Sequence, residues 1–214
     1  GVPVTLLTFA PGETSKPAAV TVNGDTTDED NETLFVNLSD LANLTTLGSD
    51  LQGVGTITND DAPPTVAFNL NSSQGPETST PINLEVRLAA ASGRNVTVDY
   101  AVTGGTATPG LGNDFTLLGT GTLTFAPGVT TQNVQLSIFN DLLSEDSETV
   151  IVTLSNPIHA SLGSITFHTY TILDDNDPKP SVSINNVSAS EGNSPGTTDF
   201  TFTVTQTGDT SVAH

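Results

Sequence analysis

The feature that most constrains the fold of this chain is an internal repeat. Residues 24–40 read GDTTDEDNETLFVNLSD and residues 140–156 read NDLLSEDSETVIVTLSN, so an acidic segment and the apolar stretch after it recur 116 residues apart. LTFAPG recurs at the same spacing, at residues 7–12 and 123–128. A fixed period of this length indicates a tandem array of similar domains.

The spacing divides the chain into three parts. A further pair of matching segments, TITNDDAPPTVAF and TILDDNDPKPSVSI, marks where one repeat ends and the next begins. We therefore predict the second half of a repeat in residues 1–61, a complete repeat in 62–177 and the beginning of a third in 178–214. We therefore expect the chain to be a segment of a longer tandem array.

Period-two alternation of apolar residues predicts strands in the complete repeat. In one of them Val96, Val98 and Tyr100 share a face. Between Phe167 and Tyr170 the apolar residues change parity, which predicts a β-bulge there. The pattern predicts no helix of useful length, and seven short strands predict an all-β fold, an immunoglobulin-like antiparallel β-sandwich. The predicted strands A to G cover residues 65–71, 82–89, 96–102, 115–118 continuing through 121–125, 131–139, 148–155 and 164–173.

The acidic residues of the complete repeat gather at one end of this predicted sandwich. Successive connections of an antiparallel sandwich alternate between its two ends, so the A–B, C–D and E–F connections and the end of strand G share one pole. The connections at the opposite pole contain no Asp or Glu. The acidic pole contains Glu77, Asp114, Asp141, Glu145, Asp146, Glu148, Asp174, Asp175 and Asp177.

Such a pole needs a counter-charge, because like charges 4 Å apart repel by about 1 kcal/mol even in bulk water. Carboxylate oxygens in this number suit Ca²⁺, whereas Mg²⁺ keeps its waters and zinc prefers His and Cys. The chain has no Cys, so no disulfide can stabilise it, and a metal is a candidate replacement. The simpler alternative, that these are solvated acidic loops, fits one loop better than four converging segments.

The overall charge excludes several partners. The chain has 4 Lys and Arg against 24 Asp and Glu, a formal net charge of -20. We therefore expect no binding to nucleic acid, which requires basic residues, and no membrane insertion, because no apolar run approaches the ~18 residues needed to span a bilayer.

Several motifs, in this order, resemble the Calx-beta domain: VTVDYAVTGGTAT, GTLTFAPG, NDLLSEDSETVIVTLSNP and YTILDDND. The resemblance covers nearly the whole chain and implies tandem Calx-beta repeats of seven-stranded sandwiches, whose calcium-binding members coordinate several Ca²⁺ at one pole. The ligands it implies in the complete repeat are Glu77, Asp114, Asp141, Glu145, Glu148, Asp174 and Asp175. The matching residues in the partial repeats are Asp25, Glu29, Glu32, Asp60 and Asp61 in the first and Glu191 in the third.

This chain departs from the strongest calcium binders of the family at two positions. Asn140 and Asn176 stand where those members have Asp. Fewer carboxylates predict fewer ions or weaker sites, in the ~10⁻⁴–10⁻³ M range of extracellular modules.

Catalysis is not expected. His159 lies in a connection at the opposite pole and His168 lies in predicted strand G, and neither has a Ser or Cys partner to activate. Paired carboxylates can hydrolyse glycosides, but here they lie in turns with few aromatic residues nearby to hold a sugar.

Two functions remain open at this stage. One is a calcium-stiffened spacer or adhesive segment of an extracellular or cell-surface protein, with a possible surface or matrix ligand. Its mechanism rests on the short linker of Pro178, Lys179 and Pro180, which joins the acidic pole directly to the next repeat and is stiffened by its prolines. The other is a subunit of an extracellular filament, with or without calcium. Its copies assemble head to tail, because the last partial repeat of one copy donates strands to the first partial repeat of the next.

Overall fold

The structure is a computed structural model that describes residues 6–39, 49–111, 113–141, 144–175 and 179–208. The chain divides into two compact units, Gly1–Ala62 and Pro63–His214. The predicted division into three repeats stays a prediction.

All regular elements of the described residues are β-strands. The described residues include no helix with the length and hydropathy needed to cross a bilayer. The strands are β1 Glu32–Asn37, β2 Gln52–Ile57, β3 Thr65–Phe68, β4 Ser72–Pro76, β5 Ile82–Leu88, β6 Val96–Gly105, β7 Phe115–Leu118, β8 Thr122–Phe125, β9 Thr131–Ile138, β10 Glu148–Ile158, β11 Ser161–Leu162, β12 Phe167–Leu173, β13 Ser181–Ile184 and β14 Val204–Thr207.

The middle repeat is a sandwich of two five-stranded sheets, as the sequence predicts. One sheet has the order β4-β12-β10-β6-β8, and the other has the order β11-β3-β5-β9-β7. Alternate residues of both sheets point inward and form one apolar cluster, as expected for strands with one buried face. Its largest members include Tyr170, Phe115, Phe125, Leu84 and Leu136.

Two predicted strands cross from one sheet to the other. Predicted strand D begins as β7 and continues as β8 in the opposite sheet. Gly119 and Gly121 lie between them with φ values of 101° and 84°. These are conformations that glycine adopts without steric cost. A Cβ on Gly119 would also lie 2.2 Å from the Tyr100 hydroxyl, so a larger residue does not fit.

Strand A differs from its prediction as a single strand over 65–71. It divides into β3 and β4, which belong to different sheets. The edge pairs β4–β12 and β11–β3 are parallel, so the sandwich is not wholly antiparallel as predicted. For β4–β12 the cause is the crossing of strand A, because after it β4 runs in the same direction as β12.

The predicted bulge in strand G is wrong. β12 pairs with β10 in an unbroken register from Thr153↔Phe167 to Glu148↔Ile172. The inward position is occupied by His168, which is 3% exposed, while Phe167 points outward and is 51% exposed. Period-two reading treated the histidine as polar and therefore as outward-facing, which created an apparent change of parity.

His168 fixes the point where strand A changes sheets. Its Nδ1 donates to the Leu70 carbonyl at 2.7 Å, and its Nε2 accepts from the Ser73 hydroxyl at 2.7 Å. Burial lowers the pKa of this imidazole, although the hydrogen bond to Leu70 opposes the shift. The neutral ring therefore satisfies buried polar groups at the crossing, which is a structural role.

Each partial repeat contributes an antiparallel hairpin. β1 pairs with β2 from Glu32↔Ile57 to Asn37↔Gln52. β13 pairs with β14 from Ser181↔Thr207 to Ile184↔Val204. Several apolar residues on these hairpins are more than half exposed, among them Phe35, Val54, Val182 and Val204. Exchange of strands between copies stays a prediction.

Candidate metal centre

Four chain segments bring carboxylates to one end of the middle sandwich. Glu77 follows β4, and its backbone N–H donates to the Leu173 carbonyl at the end of β12 at 3.1 Å. Asp114 lies between β6 and β7, and its carbonyl accepts from the Phe139 N–H at 3.0 Å. These bonds tie the connections to the ends of neighbouring strands, so their acidic side chains are held at a common pole. Asp141, Glu145 and Glu148 come from the β9–β10 connection and the start of β10, and Asp174 and Asp175 follow β12.

The closest group in this pole is Asp114, Glu145 and Glu148. One carboxylate oxygen of each lies within 4.8 Å of the others. Two oxygens bound at about 2.4 Å to the same Ca²⁺ lie at most about 5 Å apart. The backbone N–H of Thr108 donates to Asp114 Oδ2 at 2.5 Å, which orients that carboxylate. The three side chains are therefore spaced as ligands of one ion would be.

Glu148 ionises less readily in this arrangement than an ordinary glutamate. Burial, a hydrogen bond with the Asp114 carboxyl group and the charges of Asp114, Glu145 and Glu77 raise the pKa of Glu148 to about 7. A hydrogen bond between two carboxyl groups requires a proton on one of them. The proton reduces the repulsion that a cation would otherwise neutralise.

Glu77 shows that the remaining acids belong to the same cluster. Its side chain is buried, and burial raises its pKa to about 7 with further contributions from four carboxylates. Burial also raises the pKa of Glu145, followed by the charges of Asp141, Asp114 and Asp174. The carboxylates acting on Glu77 are Asp141, Glu145, Asp174 and Asp175. All seven residues predicted for the middle repeat thus lie in one electrostatic cluster, which we call the middle pole.

Asp175 supplies a direct test of fit for a cation. Its Oδ1 is buried and has no hydrogen-bond partner among the described residues. A buried carboxylate oxygen without a partner is costly. Both ion pairs found in the described part of the chain, Lys16–Glu13 and Arg87–Glu85, lie outside the middle pole. An all-oxygen donor set with an unsatisfied buried oxygen fits Ca²⁺.

A comparison with protein families decides the identity of the domain. The family model described as the Calx-beta domain matches residues 2–57 and 59–176, which is most of the chain. The chain belongs to the Calx-beta family. No curated protein sequence matches it.

Solved structures of Calx domains are similar to this Calx-beta chain. The structure of CBD12 from CALX1.2 is 26% identical with a TM-score of 0.46, and the match covers 52% of this chain and 44% of that one. The apo-form Calx CBD1 domain is 26% identical with a TM-score of 0.47, and the match covers 53% and 98%. The calcium binding domain CBD12 of CALX1.1 is 27% identical with a TM-score of 0.46, covering 51% and 45%. This chain therefore spans less than half of the two CBD12 structures.

The first Calx-beta repeat has a similar acidic end. Asp25, Glu29, Asp60 and Asp61 line one pocket. Burial raises the pKa of Glu29, followed by the charges of Asp25, Glu32 and Asp61. The structure therefore brings the five predicted residues of this repeat together. Among the described residues, however, only the Asp114, Glu145 and Glu148 group has the spacing of a shared ion.

The remaining predicted positions lie apart from these clusters or outside the described residues. Glu191 is exposed, and its carbonyl accepts from the Thr198 hydroxyl at 2.9 Å. Within the described residues it is not part of a carboxylate group with metal-ligand spacing. Asp177 and Asn176 lie outside the described residues.

Sequence reasoning missed two residues of the first repeat, Asp28 and Asn59. Asp28 is 2% exposed, and the Asn59 side-chain amide donates to its Oδ1 at 3.1 Å. When the repeats are aligned, Asp28 matches Ser144 and Asn59 matches Asp174. This exchange of acid and neutral residue between two segments was a visible signal that they pair.

Proposed function

We propose that this chain is a calcium-binding structural segment of an extracellular or cell-surface protein, in which Ca²⁺ binds at the middle pole and stiffens the junction to the next repeat. The observation that carries the proposal is the middle pole itself, where seven carboxyl groups from four segments meet and one carboxylate oxygen each of Asp114, Glu145 and Glu148 lies within 4.8 Å of the others. The role is mechanical and not enzymatic.

The proposed ligands contribute to ion binding in different ways. Asp114, Glu145 and Glu148 have the spacing for one shared Ca²⁺. Asp175 offers a buried oxygen that lacks a partner among the described residues, and Glu77 offers a buried carboxyl group. A bound calcium ion supplies the positive charge that lets these groups ionise together. Because the ligands come from four segments, binding cross-links the ends of β4, β9 and β12 with the β6–β7 connection.

The position of the middle pole explains why such cross-linking affects the junction. Only five residues, NDPKP, separate Asp175 from β13, the first strand after the middle sandwich. Two of them are prolines, which restrict a short linker. Fixing Asp174 and Asp175 to an ion therefore fixes the start of this linker.

The affinity that we expect for these sites suits an extracellular setting. Asn140 and Asn176 reduce the number of carboxylates available to the ions. Sites in the ~10⁻⁴–10⁻³ M range are typical of extracellular modules. Adhesion to a surface ligand and assembly into a filament stay predictions.

The stiffening can be measured as a distance distribution between two spin labels. The chain has no Cys, so Asn133→Cys on β9 and Gln206→Cys on β14 would be the only labelling positions. We expect the distribution measured by pulsed electron resonance to narrow when calcium replaces EGTA. The added Glu148→Gln substitution should prevent the narrowing. Equal widths with calcium and with EGTA would refute the stiffening mechanism.

A further inference from the structure

The acidic ends of the first and middle repeats contain equivalent hydrogen bonds, which differ in the residue that accepts them. In the middle pole the Glu145 N–H donates to Asp174 Oδ1 at 3.3 Å. In the first repeat the Glu29 N–H donates to Asn59 Oδ1, also at 3.3 Å. Glu29 and Glu145 occupy equivalent positions, as do Asn59 and Asp174. The same backbone-to-side-chain hydrogen bond therefore forms in both repeats, while a neutral amide replaces a carboxylate.

The amide also supplies donors that a carboxylate lacks. Asn59 Nδ2 donates to Asp28 Oδ1 at 3.1 Å and to the Asp61 carbonyl at 3.2 Å. Its Oδ1 also accepts from the Asp61 N–H at 3.4 Å. An Asn side chain has two N–H donors and a carbonyl acceptor, and here both ends are used. The single residue thus joins the loop before β1 to the segment after β2.

The carboxylate of Asp28 is the buried acidic group that accepts from this donor. Asp28 is 2% exposed, and a buried carboxylate requires a hydrogen-bond donor or a cation. Its equivalent in the middle repeat is Ser144, so the middle pole carries its extra acid at Asp174 instead. The middle pole has no equivalent amide there, and Asp175 Oδ1 is left without a partner among the described residues.

We infer that the Asn59 amide takes the place of a cation in the first repeat and holds its acidic end in position without calcium, whereas the middle pole depends on calcium. This inference rests on the proposed function of the middle pole. It makes the predicted set of Asp25, Glu29, Glu32, Asp60 and Asp61 the weaker calcium site of the two. Asn59 is a positioning residue, and calcium at concentrations that fill the middle pole should leave the acidic end of the first repeat unchanged.

Exchange of single amide protons with water, followed by NMR on the full chain, tests the inference. The reporters are the Glu29 and Asp61 N–H groups, which donate to Asn59, and the Glu145 N–H group, which donates to Asp174. In the native chain we expect calcium chloride to slow exchange at Glu145 and to leave Glu29 and Asp61 as they are in EGTA. Equal slowing of Glu29 and Glu145 by calcium would overturn the inference.

Two substitutions at Asn59 separate its chemistry from simple packing. In EGTA, Asn59→Ala should speed exchange at Glu29 and Asp61 by about tenfold, the loss expected for a hydrogen bond of average strength. Asn59→Asp keeps the acceptor oxygen but loses the amide donor to Asp28 and places a second carboxylate beside it, so exchange at both groups should again be faster than in the native chain. Calcium should restore slow exchange in Asn59→Asp, which has gained a ligand, and not in Asn59→Ala. An Asn59→Asp chain that ignores calcium would overturn the inference.

Failure of the proposed function would give a different pattern. If Glu145 does not respond to calcium in the native chain, the middle pole is not a calcium site. The effect of Asn59→Ala in EGTA still decides the role of the amide. Faster exchange at Glu29 and Asp61 supports that role, and unchanged exchange contradicts it.

Discussion

Calcium is expected to raise the free energy of unfolding of the middle Calx-beta sandwich by about 3 kcal/mol at a concentration roughly 100 times the dissociation constant. Only the folded chain brings the four segments of the middle pole together, so the unfolded chain offers no comparable site. The corresponding rise in Tm is roughly 10 °C for a domain of this size. Thermal unfolding followed by circular dichroism, with calcium or with EGTA, measures it.

A matched pair of substitutions in one loop separates a specific site from general screening of charge. Glu148→Gln removes a carboxylate of the closest group and should abolish most of the rise in Tm. Asp146→Asn makes the same acid-to-amide change at an exposed residue of the same segment and should leave the rise unchanged. If both variants retain the rise, or if both lose it, calcium does not act through the ligands proposed here.

Without calcium the effect of Glu148→Gln on the free energy of unfolding is reversed, and the variant is expected to be more stable than the native chain. The pKa values of Glu77 and Glu148 lie at about 7 in the folded chain, above the ordinary value of 4.5. Ionisation of such groups favours the unfolded chain, so stability is highest below pH 4.5 and is lost as the pH rises through 7. We expect a gain of about 1–2 kcal/mol for Glu148→Gln at pH 8, allowing for partial exposure to solvent.

Urea unfolding in EGTA from pH 5 to pH 8 checks this expectation. The native chain should lose stability across this range, and Glu148→Gln should lose less. Bound calcium competes with the same protons, so its affinity should increase as the pH rises through 7. If the stability of the native chain does not fall between pH 5 and pH 8, ionisation of the carboxyl groups in the middle pole does not destabilise the folded chain.

The position of the middle pole could be predicted from the sequence because it depends only on the topology of the sandwich. Alternation of connections between two ends needs only the number and order of strands, so it holds although strand A divides into β3 and β4. The same topology placed Glu77 and Asp114 at the same pole as the acidic residues around the start of β10. Along the chain, 34 or more residues separate them from Glu148.

Details that depend on individual hydrogen bonds could not be predicted from the sequence. His168 faces inward because Leu70 and Ser73 satisfy both of its nitrogens, and no periodicity of apolar residues contains that information. The pairing of Asp28 with Asn59 joins residues 31 positions apart. Their significance becomes visible only when the two repeats are compared position by position.

Titration calorimetry of calcium into the full chain tests the central claim most directly. We predict saturable binding to the native chain and to Asp146→Asn, and binding at least about tenfold weaker in Asp175→Asn, because that variant lowers the charge of a buried ligand. The account would be contradicted by a native chain that binds no calcium, or by an Asp175→Asn chain that binds it as tightly as the native one.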